Sequence, residues 1–252
     1  MRLLELHGVT KSFRNRRSVH TAVNDVSFSI DKGECLALVG ESGSGKSTVA
    51  GIVSRLIRED HGKIVYKGRE IKKEFRLKPI GKSLQMIFQN PQDSFDPRDS
   101  VLEGVMQGAR SYNLWSPCVL EEKALELFDY VGLKRSYAKV RISELSGGEC
   151  QRVAIARAII CEPELLICDE ATSSLDVLIQ AQIVHLLKKL KEEKNMAILF
   201  ITHDLQLTSD FCDRIIVMHQ GRVVEAGERR QVMENPKNEE TKKLVDSMIR
   251  II

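Results

Sequence analysis

The stretch "CLALVGESGSGKSTVAGIVSRLI", residues 35–57, joins a short apolar run to a glycine-rich loop and then to a segment with helical potential. Residues 40–48 match the pattern G-x-x-x-x-G-K-[ST], which binds phosphate when it connects a strand to a helix. Glycines let the backbone wrap closely around an anion, and a helix start adds partial positive charge. A glycine-rich turn with an incidental lysine is the alternative, and the strand-to-helix context argues against it.

This loop predicts a set of residues that bind nucleotide phosphates. They are Gly40, Glu41, Ser42, Gly43, Ser44, Gly45, Lys46, Ser47 and Thr48. Within this set, we expect the Lys46 ammonium to reach the β- and γ-phosphates and the Ser47 hydroxyl to ligate Mg²⁺. The motif by itself predicts nucleotide binding and leaves the fate of the nucleotide open.

Further apolar runs bounded by turn residues predict buried strands elsewhere in the chain. They lie at 26–30, 35–40, 84–88, 165–169, 197–201 and 214–218. Helical patterns separate several of them, which is typical of a parallel sheet covered by helices on both faces. The first thirty residues, and the two β-rich runs around Gly221, instead predict antiparallel strands at the edges of the fold. The sequence therefore predicts an α/β fold.

Between about residues 96 and 145 the strand signal stops, and helical spacing replaces it. Leu120, Ala124, Leu127, Phe128 and Val131 follow this spacing, which predicts a small helical insertion. The sequence contains no internal repeat, so we expect one catalytic unit rather than two in tandem.

Composition narrows the class of protein. The 252 residues include 38 basic and 35 acidic side chains, and the net charge of +3 is too small to argue for a nucleic-acid-binding surface. No apolar run approaches the roughly eighteen residues of a membrane-spanning helix. Six cysteines form no C-x-x-C pair, which favours reduced, buried thiols over disulfides or a zinc site. We expect a cytosolic protein, unless a partner holds it at a membrane.

Polar side chains follow three of the predicted parallel strands. Asp169 and Glu170 end the run "LLICDE", Gln89 ends "MIFQ", and His203 follows "ILFIT". Polar groups at the carboxyl ends of parallel strands converge on the ligand crevice of an α/β sheet. Asp169 is suited to hold Mg²⁺ and Glu170 to polarise an attacking water, while Gln89 can touch the metal or that water and His203 the γ-phosphate. The alternative is that the acids face solvent and that the glutamine and histidine are structural.

A second glycine turn, "LSGGECQR" at residues 145–152, also precedes a helical run. Ser146 and Glu149 have the S-x-x-E spacing of a helix capping box. Capping does not explain the consecutive Gly147 and Gly148, because paired glycines carry an entropic cost. We therefore expect something, most simply an anion, to approach the backbone closely at this turn.

Together these motifs resemble, in order and spacing, the ATP-binding subunits of ABC transporters, over roughly residues 3–250. The resemblance implies a P-loop NTPase core with a mostly parallel sheet flanked by helices, antiparallel β edge strands and an inserted helical subdomain. Within a single ABC ATPase domain, 1–252, it assigns residues 1–91 and 151–252 to a RecA-like core with an antiparallel β part. Residues 92–150 form the helical subdomain with the signature motif.

The resemblance also implies roles that the residues alone do not give. In the family, Ser146, Gly147, Gly148 and Glu149 would cap the γ-phosphate of ATP bound to the opposite subunit of a head-to-tail dimer. Phe13 matches the aromatic residue that stacks on adenine, where tyrosine is commoner. Ser174, Leu175 and Asp176 match the loop that communicates across the dimer. Ala171 departs from the proline that many relatives carry after the catalytic glutamate.

A narrower resemblance, in "QMIFQNPQDSFDPR" and "FITHDLQLTSDFCDRIIVM", is to importers of peptides, nickel and metal-chelator complexes. It implies a second ABC ATPase subunit as partner, commonly a different chain although a homodimer is possible. Two transmembrane permease subunits would hold the chain at the cytoplasmic face of the membrane, and an extracytoplasmic substrate-binding protein would take part indirectly. The short tail after "ETKKLVDSMI" leans toward nickel or a metal-chelator cargo. A soluble ABC-type ATPase acting on ribosomes or DNA, and a regulator without turnover, are the alternatives.

Overall fold

The computed structural model describes residues 1–15, 18–71, 78–172, 175–209 and 211–249. Its strands are β1 (Arg2–Asn15), β2 (Ser18–Asp31), β3 (Cys35–Val39), β4 (His61–Tyr66), β5 (Arg69–Glu70), β6 (Leu84–Ile87), β7 (Leu165–Asp169), β8 (Ala197–Thr202), β9 (Arg214–His219) and β10 (Arg222–Glu228). Its helices are α1 (Lys46–Val53), α2 (Lys78–Gly81), α3 (Val101–Arg110), α4 (Pro117–Val131), α5 (Gly147–Ile159), α6 (Val177–Lys194), α7 (Arg229–Glu234) and α8 (Glu239–Ile249).

The described residues form two compact units. The first unit comprises those within Met1–Leu77 and Leu190–Ile252, and the second comprises those within Lys78–Lys189. Across both units, no helix in the described ranges is long and apolar enough to cross a bilayer.

An antiparallel sheet of the first unit has the strand order β2-β1-β4-β5. Strands β1 and β2 form a long hairpin, with Asn15 paired to Ser18, which confirms the antiparallel strands predicted in the first thirty residues. Strand β4 was not predicted. Its alternation is short, because only Ile64 and Tyr66 are buried and the strand begins with the polar residues His61 and Lys63 around a glycine.

The other sheet of the first unit has the order β10-β9-β3-β8. Strand β3 is parallel to both neighbours, and its last residue Val39 is level with Thr202 of β8 and Val217 of β9. All residues of β3 and β8 are buried, as expected for central parallel strands covered on both faces. Strand β10 is antiparallel to β9, and the turn between them is the one predicted at Gly221.

The second unit combines the parallel pair β6 and β7 with the helices α3 to α5 and much of α6. Helix α3 begins with a capping box formed by Ser100 and Glu103. Helix α4 has Pro117 at its start and ends at Gly132, whose left-handed backbone closes the helix while the Leu133 N–H donates to the Phe128 carbonyl. The helices predicted between residues 96 and 145 are therefore present, and four of the five residues of the predicted stripe are buried.

Phe128 is fully buried in α4, whereas Val119 near the start of the same helix is 41% exposed. We expect Phe128→Ala to lower the free energy of unfolding by about 3–5 kcal/mol, because it removes a large core side chain and leaves a cavity. Val119→Ala should change it by less than about 0.5 kcal/mol. Urea denaturation followed by circular dichroism measures both changes, and equal losses would contradict the assigned packing of α4.

Candidate functional site

The glycine-rich loop after β3 has no room for side chains at two positions. A Cβ atom added to Gly40 would lie 2.2 Å from the Met218 carbonyl oxygen, and one added to Gly45 would lie 2.2 Å from the Ala22 carbonyl oxygen. Gly45 also has a φ of 104° and is the N-cap of α1. The predicted phosphate loop therefore exists as a tight strand-to-helix connection in which Gly40 and Gly45 are sterically required.

Two polar side chains of this loop, those of Lys46 and Ser44, are buried. The buried Lys46 ammonium donates to the carbonyl oxygens of Gly40 at 2.8 Å and Glu41 at 2.9 Å. The Ser44 Oγ is buried, and no hydrogen-bond partner for it exists among the residues that the structure describes. A buried hydroxyl without a partner, a buried cation and the start of a helix fit the binding of a phosphate group. Glu41, Ser42 and Ser47 are exposed beside them, and Thr48 is half-buried.

The β9–β10 turn supports the phosphate loop from one side. The Gly221 N–H donates to the Ser44 carbonyl at 3.0 Å, and the Gly221 carbonyl accepts from the Asn24 N–H at 2.8 Å. This turn thus connects the loop to β2, which the sequence did not indicate.

His203 leaves the same edge of the sheet as the phosphate loop. It follows Thr202, whose register partner in the adjacent parallel strand is Val39, and Val39 directly precedes the loop. The His203 side chain is exposed, and the Thr202 Oγ1 accepts from the Asp204 N–H at 3.0 Å, which shapes the turn. The first unit therefore brings His203 and the phosphate loop to one sheet edge, as predicted from the strand ends.

Phe13, predicted to stack on adenine, lies in β1 with 42% of its surface exposed. The Lys11 ammonium lies 5.6 Å from the centre of the Phe13 ring and 2.8 Å from Asp60 Oδ1. Asp60 Oδ2 also accepts from the Ser12 N–H at 2.7 Å, and the bonds from Lys11 and Ser12 hold the pKa of Asp60 below its ordinary value. Sequence reasoning missed Asp60, because its partners lie far away in the chain.

The second unit brings Gln89 and the paired acids together. Strands β6 and β7 are parallel with Ile87 level with Cys168, so both strands end at the same edge. There the Gln89 Nε2 donates to Glu170 Oε2 at 3.0 Å. Glu170 has a φ of 47°, a left-handed conformation that is unfavourable for a non-glycine residue and is typical of functional sites.

Asp169 is 8% exposed and lines an open cavity of about 380 Å³ at the end of β7. The other residues of the cavity wall are Phe88, Gln89, Asn90, Asp93 and Ser94. The described residues contain no cluster of three or more histidine, cysteine or acidic side chains with metal-binding spacing. A protein-only metal cage is therefore absent from the described part, and a metal here would need further ligands from a nucleotide or water.

The second glycine turn begins α5 with the predicted capping box. The Ser146 N–H and hydroxyl both donate to Glu149 Oε2, at 2.9 and 2.7 Å, and the Ser146 Oγ accepts from the Glu149 N–H. The Tyr137 hydroxyl donates to the other oxygen of Glu149 at 2.8 Å. Bonds from Ser146 and then from Tyr137 hold the pKa of Glu149 below its ordinary value. The sequence predicted the Ser146–Glu149 pair but missed Tyr137.

The two glycines of this turn have different surroundings. A Cβ atom at Gly148 would lie 2.8 Å from Ile179 Cγ2 of α6, so packing alone accounts for that glycine. A Cβ atom at Gly147 would make only an ordinary 3.5 Å contact with Leu175, and Gly147 is exposed. The close approach of an anion therefore stays a prediction that depends mainly on Gly147.

Asp176 is exposed and accepts from the Ile179 N–H at 3.0 Å, whereas Ser174 lies outside the described residues.

Gly45→Ala tests the steric limit on the phosphate loop. We expect at least a tenfold loss of affinity for ATP, on the order of 1.4 kcal/mol, because the new Cβ must displace the loop from the Ala22 carbonyl. Gly68→Ala is the matched control, since Gly68 has a φ of 73° and no heavy atom within 4 Å of an added Cβ. The control introduces similar backbone strain outside the loop and should leave ATP affinity unchanged. Titration with a fluorescent ATP analogue measures both, and unaltered binding by Gly45→Ala would contradict this geometry.

Comparisons with known proteins agree with the motifs and the fold. A family model described as ABC transporter matches residues 23–173. The chain is 39% identical to the oligopeptide transport ATP-binding protein AppF of Bacillus subtilis (strain 168), covering 98% of this chain and 78% of AppF. It is also 39% identical to the glutathione import ATP-binding protein GsiA of Salmonella choleraesuis (strain SC-B67), covering 96% of this chain but only 40% of GsiA.

Solved structures give the same result. The dimeric structure of MJ0796, a bacterial ABC transporter cassette, is similar with a TM-score of 0.82 and 30% sequence identity, over 90% of this chain and 99% of that chain. A dimeric post-hydrolysis state of MJ0796 bound to ADP and Pi is similar with a TM-score of 0.81. The family predicted from the motifs is confirmed, and the chain belongs to the ABC transporter family as one of its ATP-binding cassettes.

Proposed function

We propose that this chain binds and hydrolyses ATP to energise an importer of the peptide and nickel family. The observation that carries hydrolysis, beyond nucleotide binding, is the 3.0 Å hydrogen bond from the Gln89 amide to Glu170. It fixes a half-buried carboxylate beside an amide at the ends of two parallel strands. A carboxylate in that position is suited to polarise an attacking water, which a regulator without turnover would not need.

The phosphate loop supplies the binding of the triphosphate. Its backbone N–H groups and Lys46 would hold the phosphates, while Phe13 would stack on the adenine and His203 would contact the γ-phosphate. Mg²⁺ takes oxygen ligands and keeps several waters, so Ser47, Asp169 and Gln89 have suitable chemistry to hold it together with phosphate oxygens. When bound, Mg²⁺ neutralises part of the charge on the β- and γ-phosphates.

A second ABC ATPase subunit would complete each nucleotide site through Ser146, Gly147, Gly148 and Glu149. The exposed Gly147 at the start of α5 supports this role, because the start of a helix carries partial positive charge that favours an anion. The two structures of MJ0796 are dimeric, which supports a dimer of cassettes here. The partner would be a paralogous chain or a second copy, and Asp176 would lie in the loop that communicates between subunits.

Two transmembrane permease subunits would hold the cassette at the cytoplasmic face of the membrane and receive the motions of ATP binding and hydrolysis. An extracytoplasmic substrate-binding protein would deliver the cargo. AppF is named for oligopeptide transport and GsiA for glutathione import, and both names favour a peptide cargo. Nickel and metal-chelator complexes stay predictions from the narrower sequence resemblance.

Glu170→Gln tests the assignment of the general base. We expect the variant, in complex with its permease, to bind ATP within about threefold of wild type and to lose about 100-fold or more in kcat. Glu126→Gln, a change of an exposed glutamate in α4, is the matched control and should retain full turnover. Phosphate release measures turnover, and light scattering follows the closed dimer that the variant should accumulate. Normal turnover by Glu170→Gln would rule out the assigned role.

Uptake by the complete transporter in liposomes tests the cargo. We expect ATP-dependent uptake of glutathione or short oligopeptides with wild-type cassette and none with Glu170→Gln. Uptake of Ni²⁺ or a metal-chelator complex with no peptide uptake would contradict the peptide assignment and leave the ATPase assignment intact.

A further inference from the structure

Arg157 is a cation in an apolar part of α5. It lies in the run "VAIARAII", and its side chain is half-buried. Burial lowers the pKa of its guanidinium. No carboxylate among the described residues lies within ion-pair distance of it. A partly desolvated cation without an acidic partner is costly, and an apolar side chain would join two segments with less penalty.

The Arg157 guanidinium instead holds one short segment by three contacts. Its Nη1 donates to the Ser94 carbonyl at 2.7 Å, and its Nη2 donates to the Ser94 Oγ at 2.7 Å. Its Cζ lies 4.0 Å from the centre of the Phe95 ring. The planar fork of arginine can make two directed bonds and a stacking contact at once, which lysine cannot.

The segment held by Arg157 is the one that directly follows Gln89. The chain after Gln89 passes through Asn90 into the 3₁₀ turn Pro91–Ser94, in which the Ser94 Oγ donates to the Pro91 carbonyl at 2.6 Å. Phe95 is buried, and its ring also packs against α3, where a Cβ at Gly104 would lie 3.3 Å from it. The segment is therefore held by contacts with both α3 and the Arg157 side chain.

We propose that Arg157 is a positioning residue for ATP hydrolysis, which acts through Ser94 and Phe95 to hold the Gln89 amide against Glu170. This inference rests on the proposed function, because it assigns Gln89 and Glu170 to the ATPase site. Helix α5 begins at the Ser146–Glu149 turn. Arg157 therefore also connects the helix that would meet the partner's nucleotide to the segment that carries Gln89.

The test compares Arg157→Met, which keeps the side-chain length and removes the donors, with wild type in the complex with its permease and MgATP. We expect kcat to fall about tenfold, since charge-assisted bonds are lost. The affinity for ATP should change less than about threefold, because residues 40–48 and not Arg157 bind the phosphates. Arg157→Lys should restore part of kcat, since it keeps a charge and a donor but not the fork.

A double-mutant cycle separates positioning from a general structural role. If Arg157 acts through Gln89, Arg157→Met should lower kcat less than about twofold in a Gln89→Ala background. Arg135→Met is the matched control, because Arg135 is exposed and pairs only with the exposed Asp129 among the described acids. It should leave kcat unchanged in both backgrounds. Thermal unfolding shows whether each variant is folded.

If Arg157→Met does not fold, Ser94→Ala replaces it in the same cycle. It removes the Oγ contact but keeps the Ser94 carbonyl, and we expect a loss of about threefold in kcat that disappears in the Gln89→Ala background. Two results would overturn the inference if the wild-type complex is active. One is a folded Arg157→Met variant with unchanged kcat, and the other is a loss of kcat that persists fully in the Gln89→Ala background. A wild-type complex that hydrolyses no MgATP would remove the proposed function and this inference with it.

Discussion

Two close backbone approaches set the geometry of the first unit. The carbonyl oxygens of Ala22 and Met218 belong to β2 and β9, and each occupies the space that a side chain at Gly45 or Gly40 would need. The phosphate loop is therefore shaped by strands from both sheets of this unit. Inside the loop, the Lys46 ammonium donates to the carbonyl oxygens of Gly40 and Glu41. The conformation of the loop is therefore set by the neighbouring strands that pack against it.

In the second unit, side chains rather than backbone carbonyls fix the geometry of the candidate site. Glu170 is placed by the end of a buried strand and by an unfavourable left-handed backbone, and Gln89 completes it with one hydrogen bond. Such an arrangement is maintained only if its neighbours are fixed as well. The 3₁₀ turn after Gln89, the Phe95 ring and α5 provide that support. The segment that follows Gln89 is thus held through Ser94 and Phe95 by Arg157, in the last turn of α5.

The buried parallel strands and the capped helices could be predicted because their signals are local. The run at 35–39 is wholly apolar, and Ser146 and Glu149 have a spacing that defines a capping box. Strand β4 could not be predicted, since its pairing with β1 compensates for a weak local pattern. Asp60, Tyr137 and Arg157 were missed because each acts on residues distant in sequence. A lone arginine inside an apolar helical run was the one visible signal for Arg157.

Gly148 shows that a glycine in a motif need not mark a ligand contact. The paired glycines of the signature turn suggested the approach of an anion, but the Ile179 side chain already fills the space beside Gly148. Meanwhile the turn at Gly221 looked like an ordinary surface hairpin, and it bonds both the Ser44 carbonyl and the Asn24 N–H. Hairpin tips are the usual choice for inserting affinity tags or fluorescent labels. In this cassette an insertion at that tip would break the hydrogen bonds that Gly221 makes with Ser44 and Asn24, so a tag placed there would distort the glycine-rich loop that precedes α1.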